Sequence, residues 1–380
     1  MSNQDQTHSI CEFAKELLKV YQARVAQDWV EGLIFMSTSG GRVDILTKTF
    51  TRVHDFLSLD RPEPEYSGAS MEAVVGEFGS GKSHLGYLMK YHFLSVAENT
   101  LVIHCQMTGD RTVGQVLARA LQNLWLSGHD SQRASGVEMS AYAKLYNIFA
   151  GEPWVRETMV ARTAKGYLRK LPPAFAEDFS TTVFSNNAHT MSEFLTEWVA
   201  KESDLNAVEA FETILGVLAR CGVAKRVVFV LDEIEAVSVL DRSGQLAIAQ
   251  AFQDLHDDFS FRISGLPTFY WIFLSTINFW EEAGKLLPSF FGARDRTRMI
   301  TPIPGIEKHE VFSLADRYAM LLQLSGRLKK PLSMDQIGAA VEAAWNSLTD
   351  TQSLFHMRTV HAVIYEHVLK AGSERGGVSH

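Results

Sequence analysis

The spacing of apolar residues predicts helices, and no strand, before residue 60. Large apolar side chains recur at three- or four-residue intervals over 9–36, which is the period of one helix face. After a break rich in glycine and serine at 37–42, a second helix is predicted over 43–57. The segment 61–70 is rich in proline and serine and is typical of a linker. The pattern therefore predicts a helical N-terminal segment, 1–60, in front of a different kind of domain.

Beyond residue 70, short apolar runs alternate with helical stretches. The runs that predict buried strands are 72–76, 101–105, 226–231, 269–275 and 298–301. Strands that alternate with helices favour a parallel sheet covered on both faces. A helical insertion is predicted at about 128–215, and only helices are predicted over 306–369. We therefore expect an α/β domain over 61–305 and a helical domain over 306–380.

The segment 76–83, GEFGSGKS, fits the phosphate-binding pattern G-x-x-x-x-G-K-[S/T] and lies between a predicted strand and a predicted helix. Glycines let backbone N–H groups approach phosphate oxygens, Lys82 brings a positive charge to the β- and γ-phosphates, and the Ser83 hydroxyl is a ligand for Mg²⁺. A chance glycine-rich turn is the alternative, and the strand–loop–helix context disfavours it. The cofactors expected are ATP and Mg²⁺. The predicted binding residues are Gly76, Glu77, Phe78, Gly79, Ser80, Gly81, Lys82, Ser83 and His84.

Two consecutive acids follow the predicted strand 226–231. In a parallel sheet they emerge at the carboxyl end, which is also where the phosphate loop begins. Asp232 is therefore a candidate Mg²⁺ ligand, and Glu233 is a candidate general base for the attacking water. A solvated acidic turn that includes Glu235 is the alternative.

Further polar side chains are candidates for contacts with the γ-phosphate. Thr276 and, as a second choice, Asn278 follow the apolar strand 269–275. Arg294 and Arg296 are candidates for an arginine that reaches the site of a neighbouring subunit, because arginine neutralises charge in the transition state of phosphoryl transfer. Arg358, at the start of the last predicted helix, is a candidate contact from a helical lid. Ordinary turn residues and solvent-facing arginines are the alternatives.

The composition and charge of the chain favour some classes of protein over others. Hydrophobic residues make up 46% and charged residues 21%, which is ordinary for a folded globular protein. The net charge of −8 does not favour a protein that wraps nucleic acid, so DNA contact would need a local basic patch. The three cysteines show no CxxC pair, which favours a reducing compartment. The start lacks a signal-peptide pattern and no apolar stretch is long enough to span a bilayer, so a cytoplasmic protein without a membrane partner is expected.

The order of these features along 72–369 resembles that of the AAA+ superfamily: a phosphate loop, an acidic pair, a polar strand end, an arginine segment and final helices. This resemblance implies a P-loop NTPase of the α/β class, with a parallel sheet, flanking helices, a helical insertion and a C-terminal helical lid. Within the superfamily, the chain is similar to ATP-binding proteins of BREX-type bacterial phage-defence systems. That similarity rests on QARVAQDWVEGL, GEFGSGKSH, VLDEIE and GLPTFYWIFLSTINFWEE. It implies a prokaryotic ATPase that forms homo-oligomers, with other defence-system proteins and double-stranded DNA as candidate partners.

Three functional hypotheses follow: an oligomeric ATP-driven motor, a nucleotide switch that controls assembly, and a protein remodeller. Glu233 favours hydrolysis over binding alone, and the lack of an aromatic-glycine pore loop disfavours the remodeller. The basic patch 162–170, with Tyr167 among its charges, is the candidate DNA contact, and a solvated helix face is the alternative. The sequence contains no HExxH motif or Cys/His cluster, so nuclease or methyltransferase chemistry would need another chain.

Overall fold

The computed structural model describes most of the chain from residue 48 to residue 373. Several predicted features lie outside the described residues: the helix 9–36, residues 163–203 of the insertion and basic patch, and the side chains His84, Arg294 and Arg296. The described ranges, which omit a few positions inside them, are 48–56, 69–89, 100–107, 112–126, 139–162, 204–261, 267–286 and 297–373.

The described strands form one sheet with the order β4-β3-β2-β5-β6-β1-β7. Their bounds are β1 Ala69–Val75, β2 Thr100–Gln106, β3 Trp125–Leu126, β4 Met139–Ser140, β5 Arg226–Asp232, β6 Thr268–Ser275 and β7 Thr297–Pro302. The pairs β1–β6, β6–β5 and β5–β2 are parallel, whereas β3 and β4 extend the sheet as antiparallel additions. The predicted fold class is confirmed: an α/β protein with a parallel sheet, flanking helices and a helical C-terminal region.

The two central strands are apolar between their first and last residues because both of their faces are covered. Every residue of β5 from Val227 onward and every residue of β6 from Phe269 onward is buried. Trp271 lies at the centre of an aromatic cluster, with ring centroids 4.6 Å from Phe269 and 4.9 Å from Phe229. Continuous apolar runs are the signature of parallel strands buried on both faces.

Six described helices and one 3-10 helix lie between β2 and β7 in the chain, and some of them cover the sheet. Their bounds are α1 Val113–Gln122, α2 Ala141–Gly151, α3 Pro153–Arg162, α4 Asp204–Arg220, α5 Arg242–Phe261 and α6 Ile277–Leu286, with a 3-10 helix at Ile234–Val239. Helix α4 contacts α1 and α5, and its Phe211 and Leu215 are fully buried in the sheet core. The end of the predicted insertion therefore contributes to the sheet core.

A buried carboxylate connects the helical residues before β1 to three strands. Glu72 on β1 is fully buried and forms an ion pair with Arg52. Its carboxylate also accepts hydrogen bonds from the Tyr270 hydroxyl on β6 at 3.1 Å and from the Thr301 hydroxyl on β7 at 3.1 Å. Burial, and then the charge of Glu72, raise the pKa of Tyr270 far above its usual range, so this hydroxyl keeps its proton and donates it.

The C-terminal helices form a second core. Their bounds are α7 Lys308–Leu324, α8 Met334–Asp350 and α9 Met357–Ser373. Helix α8 begins with a capping box, in which the Ser333 hydroxyl accepts from the Gln336 backbone N–H and the Gln336 side chain accepts from the Ser333 N–H. Tyr318 is buried among the helices, and its hydroxyl lies 3.1 Å from Nδ1 of His361.

The chain divides into two compact units. One contains Gly76–Leu88 and the C-terminal helices, and the other contains Phe50–Val75 and Met89–Thr301, which include most of the sheet. The phosphate-loop segment therefore packs with the C-terminal helices. The domain boundaries at 60 and 305 stay a prediction. Among the described helices, none is both long enough and apolar enough to span a bilayer.

Candidate nucleotide-binding site

The phosphate-loop segment leaves β1 at Gly76 and becomes helical at Lys82. The backbone angle φ is +78° at Gly79 and +95° at Gly81, a region that glycine adopts without strain. Within the loop, the Ser80 N–H donates to the Glu77 carbonyl at 3.1 Å. Successive N–H groups in turns of this kind form concave sites for anions. The strand–loop–helix context that the motif requires is present.

Lys82 folds back over the loop that precedes it. Its ammonium group donates to the carbonyl oxygens of Gly76 and Glu77, both at 3.1 Å, and only 7% of the residue is exposed. A buried ammonium needs hydrogen-bond acceptors, and here the loop itself supplies them. The charge of Lys82 is thereby held against the loop, and a phosphate group would be a stronger acceptor for it than a carbonyl.

Gly76 is tightly packed against other residues of its surroundings. An added Cβ atom at this position would lie 2.5 Å from the Ser80 hydroxyl oxygen and 3.2 Å from Cβ of Ile303. A side chain at Gly76 would therefore require the Ser80 hydroxyl to move. The sequence motif alone explains this glycine by access to phosphate, and the structure adds a steric reason.

The acidic pair lies at the carboxyl end of the central strands. Asp232 pairs in register with Leu274 on β6 and with Gln106 on β2, while Val75 at the end of β1 pairs with Ser275. The carboxyl ends of these parallel strands therefore coincide. The strand that ends at Asp232 and the strand that Thr276 follows are therefore neighbours in the sheet.

The Asp232 side chain is fully buried. Its Oδ1 accepts the Glu233 backbone N–H at 2.9 Å, and its Oδ2 lies 3.6 Å from Nε2 of His104 on β2. Among the described residues, no hydrogen bond reaches this Oδ2 atom. A buried carboxylate oxygen without a hydrogen bond is unusual and fits a position that a cation or its water would satisfy. His104 was not predicted, because a single histidine inside an apolar strand carries no signal in the sequence.

Glu233 has an unusual backbone conformation. Its φ of 56° and ψ of 39° lie in the left-handed region, which residues other than glycine rarely adopt. The residue lies between the end of β5 and the 3-10 helix, and it is partly exposed whereas Asp232 is buried. Such conformations are concentrated at functional sites.

The polar end of β6 contacts the 3-10 helix. The Thr276 backbone N–H lies 3.4 Å from a carboxylate oxygen of Glu235, and the Thr276 carbonyl accepts from Trp280 N–H in the first turn of α6. Asn278 lies in that turn with its side chain exposed. Glu235 entered the sequence analysis only as part of an acidic turn, and the structure brings it to the end of the neighbouring strand.

The other predicted site residues are Arg358, His84, Arg294 and Arg296. Arg358 is the second residue of α9, and the structure describes its backbone. His84, Arg294 and Arg296 lie outside the described residues, so their roles stay predictions.

Comparisons with known proteins give a weak structural similarity. No protein-family model and no curated protein sequence matches the chain. Among solved structures, the Aeropyrum pernix ORC2 protein in its ADPNP–ADP complexes is similar at 9% identity and a TM-score of 0.42, over 89% of this chain and 68% of that one. The ADP form of the same protein gives 9% identity and a TM-score of 0.35, over 88% and 69%. Identities and TM-scores this low do not establish a shared function.

Proposed function

We propose that this chain binds ATP with Mg²⁺ and hydrolyses it as an ATPase of the AAA+ type. The observation that carries the proposal is the Lys82 ammonium, which is buried over a complete phosphate loop. That loop directly follows a strand of a parallel sheet whose neighbouring carboxyl ends hold a buried aspartate and an adjacent glutamate. These are the parts that nucleotide hydrolysis requires: a phosphate cradle, a cation ligand and a candidate base.

The proposed roles follow from the environments of the side chains. Backbone N–H groups of residues 76–83 and Lys82 would bind the phosphates, with Arg358 contributing from α9. The Ser83 hydroxyl and the Asp232 carboxylate would hold Mg²⁺, which when bound neutralises charge on the β- and γ-phosphates. The buried Oδ2 of Asp232 supports this assignment. Glu233 would accept a proton from the attacking water, and Thr276 would orient the water or the γ-phosphate.

The wider part of the proposal concerns assembly and partners. Homo-oligomers would place Arg294 or Arg296 at the nucleotide of a neighbouring subunit. The four sequence segments similar to BREX-type ATP-binding proteins support a role in prokaryotic antiphage defence with other defence proteins and double-stranded DNA. The nucleotide switch remains the second candidate function. A hydrogen bond from Met357, the first residue of α9, to the Gly79 carbonyl favours it, because it connects the phosphate loop to the C-terminal helices.

Substitution of Lys82 tests the proposal. We expect Lys82→Ala to weaken ATP binding about 10- to 100-fold, because charged hydrogen bonds to phosphate are lost. Isothermal titration with Mg²⁺ and ATP measures the affinity. Lys370→Ala is the matched control, since Lys370 is exposed on α9 and pairs with Glu366 at the surface. Undiminished affinity in Lys82→Ala would remove the phosphate-loop assignment.

A further inference from the structure

The start of helix α9 contacts the phosphate loop directly. The Met357 backbone N–H donates to the Gly79 carbonyl at 2.8 Å. The first N–H groups of a helix have no partner inside the helix and need acceptors from elsewhere. For Met357, that acceptor is supplied by the loop proposed to bind phosphate. The orientation of the Gly79–Ser80 peptide is thereby tied to the first turn of α9.

His356, the residue before α9, has two separate contacts. Its Nδ1 accepts the Thr359 backbone N–H at 3.3 Å and lies 2.8 Å from the Thr359 hydroxyl, so the ring caps the helix. The opposite edge of the ring faces Gly79. A Cβ atom added to Gly79 would lie 2.7 Å from Nε2 of His356, so the ring occupies the space that a side chain at this position would need.

The segment that carries His356 is fixed by the C-terminal helical core. The Ile306 N–H donates to the Leu354 carbonyl at 2.9 Å, and the His356 N–H donates to the Ser353 carbonyl at 3.0 Å. Met357 is buried in the same core. These backbone bonds fix the segment that carries the His356 ring to the C-terminal helices. A change in the loop at Gly79 must therefore either move the start of α9 or break the contact between the ring and Gly79.

We propose that His356 is a positioning residue for the phosphate loop: it caps α9 with one ring edge and sets the conformation of Gly79 with the other, so that nucleotide in the loop changes the first turn of α9. This inference rests on the proposed ATP binding and adds a route by which the C-terminal helices respond to it. The contact also gives a second reason, besides its positive φ, why position 79 is glycine.

Two substitutions of His356 separate the cap from the loop contact. Asparagine is among the strongest N-cap residues, so His356→Asn keeps an acceptor for the Thr359 N–H while removing the ring edge at Gly79. His356→Ala removes both contacts. His309→Asn is the matched control, because His309 is exposed on α7 and its ring lies 3.2 Å from the Glu307 carboxylate.

We expect His356→Asn and His356→Ala to weaken ATP binding by a similar factor, roughly three- to tenfold, as for a misplaced hydrogen-bonding group. Only His356→Ala should also lower the melting temperature. Amide hydrogen exchange should show that ATP slows exchange of the Met357 segment in the wild type and not in His356→Asn. His309→Asn should behave as the wild type in all three measurements.

The outcomes distinguish the two proposals. Wild-type affinity and wild-type exchange in His356→Asn, together with loss of binding in Lys82→Ala, would overturn the role of His356 and leave ATP binding intact. If the wild type binds no ATP, the proposed function and this inference both fail. If His356→Asn retains every property that His356→Ala loses, His356 acts only as a helix cap and the proposed role in positioning the loop fails.

Discussion

Asp232 and Glu233 are adjacent in the chain but lie in different environments. Asp232 is fully buried, and its backbone is fixed by a hydrogen bond from Met107 N–H to its carbonyl at 2.9 Å. Glu233 is partly exposed and held in a left-handed conformation. A buried carboxylate suits a cation, and an accessible one suits a water molecule that must be activated. The two environments therefore favour the division of roles proposed for this pair.

We expect Glu233→Gln to retain ATP binding and to lower the turnover rate about 10²- to 10⁴-fold, the contribution typical of a general base. The amide keeps the shape of the side chain but cannot accept the proton. Steady-state phosphate release measures turnover, and titration of ATP checks binding. Glu281→Gln, an exposed position on α6, is the control and should retain both.

Normal turnover in Glu233→Gln would assign the base to another acid. Glu235 would then be the next choice, because its carboxylate lies 3.4 Å from the Thr276 backbone N–H at the end of the neighbouring strand. Turnover that is lost in Glu235→Gln but retained in Glu233→Gln would establish that exchange of roles.

At the scale of elements, the Glu72 carboxylate joins the helical residues at 48–56 to strands β1, β6 and β7 through Arg52, Tyr270 and Thr301. We expect Glu72→Gln to lower the free energy of unfolding by about 1–3 kcal/mol, because the partly buried ion pair with Arg52 and two charged hydrogen bonds are weakened at once. Urea denaturation followed by circular dichroism measures the change.

The control for Glu72 is an acid whose ion pair is exposed to solvent. Glu366 pairs with Lys370 at 2.7 Å on the surface of α9, and Glu366→Gln should leave the unfolding midpoint unchanged, since exposed pairs contribute little. Equal shifts in the two variants would show that burial of Glu72 adds nothing. A shift in Arg52→Ala equal to that in Glu72→Gln would identify their ion pair as the main contribution.

The elements that the sequence predicts well are those with a strong local pattern. Strands β5 and β6 were predicted because burial on both faces makes them continuously apolar, and the phosphate loop was predicted because its glycines and Lys82 have fixed spacing. Strands β3 and β4 have two residues each, too few for any periodicity, and were missed. Glu72 and His104 were missed because their partners lie far away in the chain, where a single sequence gives no pairing signal.

At the scale of the whole molecule, the proposed roles of Arg294 and Arg296 require an assembly of chains. Arginine supplied by a neighbour accelerates nucleotide hydrolysis by orders of magnitude, because it neutralises charge that develops in the transition state. If Arg296 or Arg294 acts in this way, turnover per chain must depend on the concentration of the protein. A switch that only binds nucleotide would show no such dependence.

We expect the specific rate of ATP hydrolysis to rise with protein concentration and Arg296→Ala to abolish that rise while leaving the rate in dilute solution unchanged. Arg242→Ala, at an exposed position on α5, is the matched control and should retain the rise. Phosphate release over a hundredfold range of dilution, with sedimentation velocity at each concentration, relates rate to assembly. Equal losses for Arg296→Ala in dilute and concentrated solution would contradict an arginine that acts across subunits, and repeating the series with Arg294→Ala would decide between the two candidates.

Double-stranded DNA added to the same series should raise the rate only at low salt if a local basic patch binds it, since phosphate contacts weaken as salt increases.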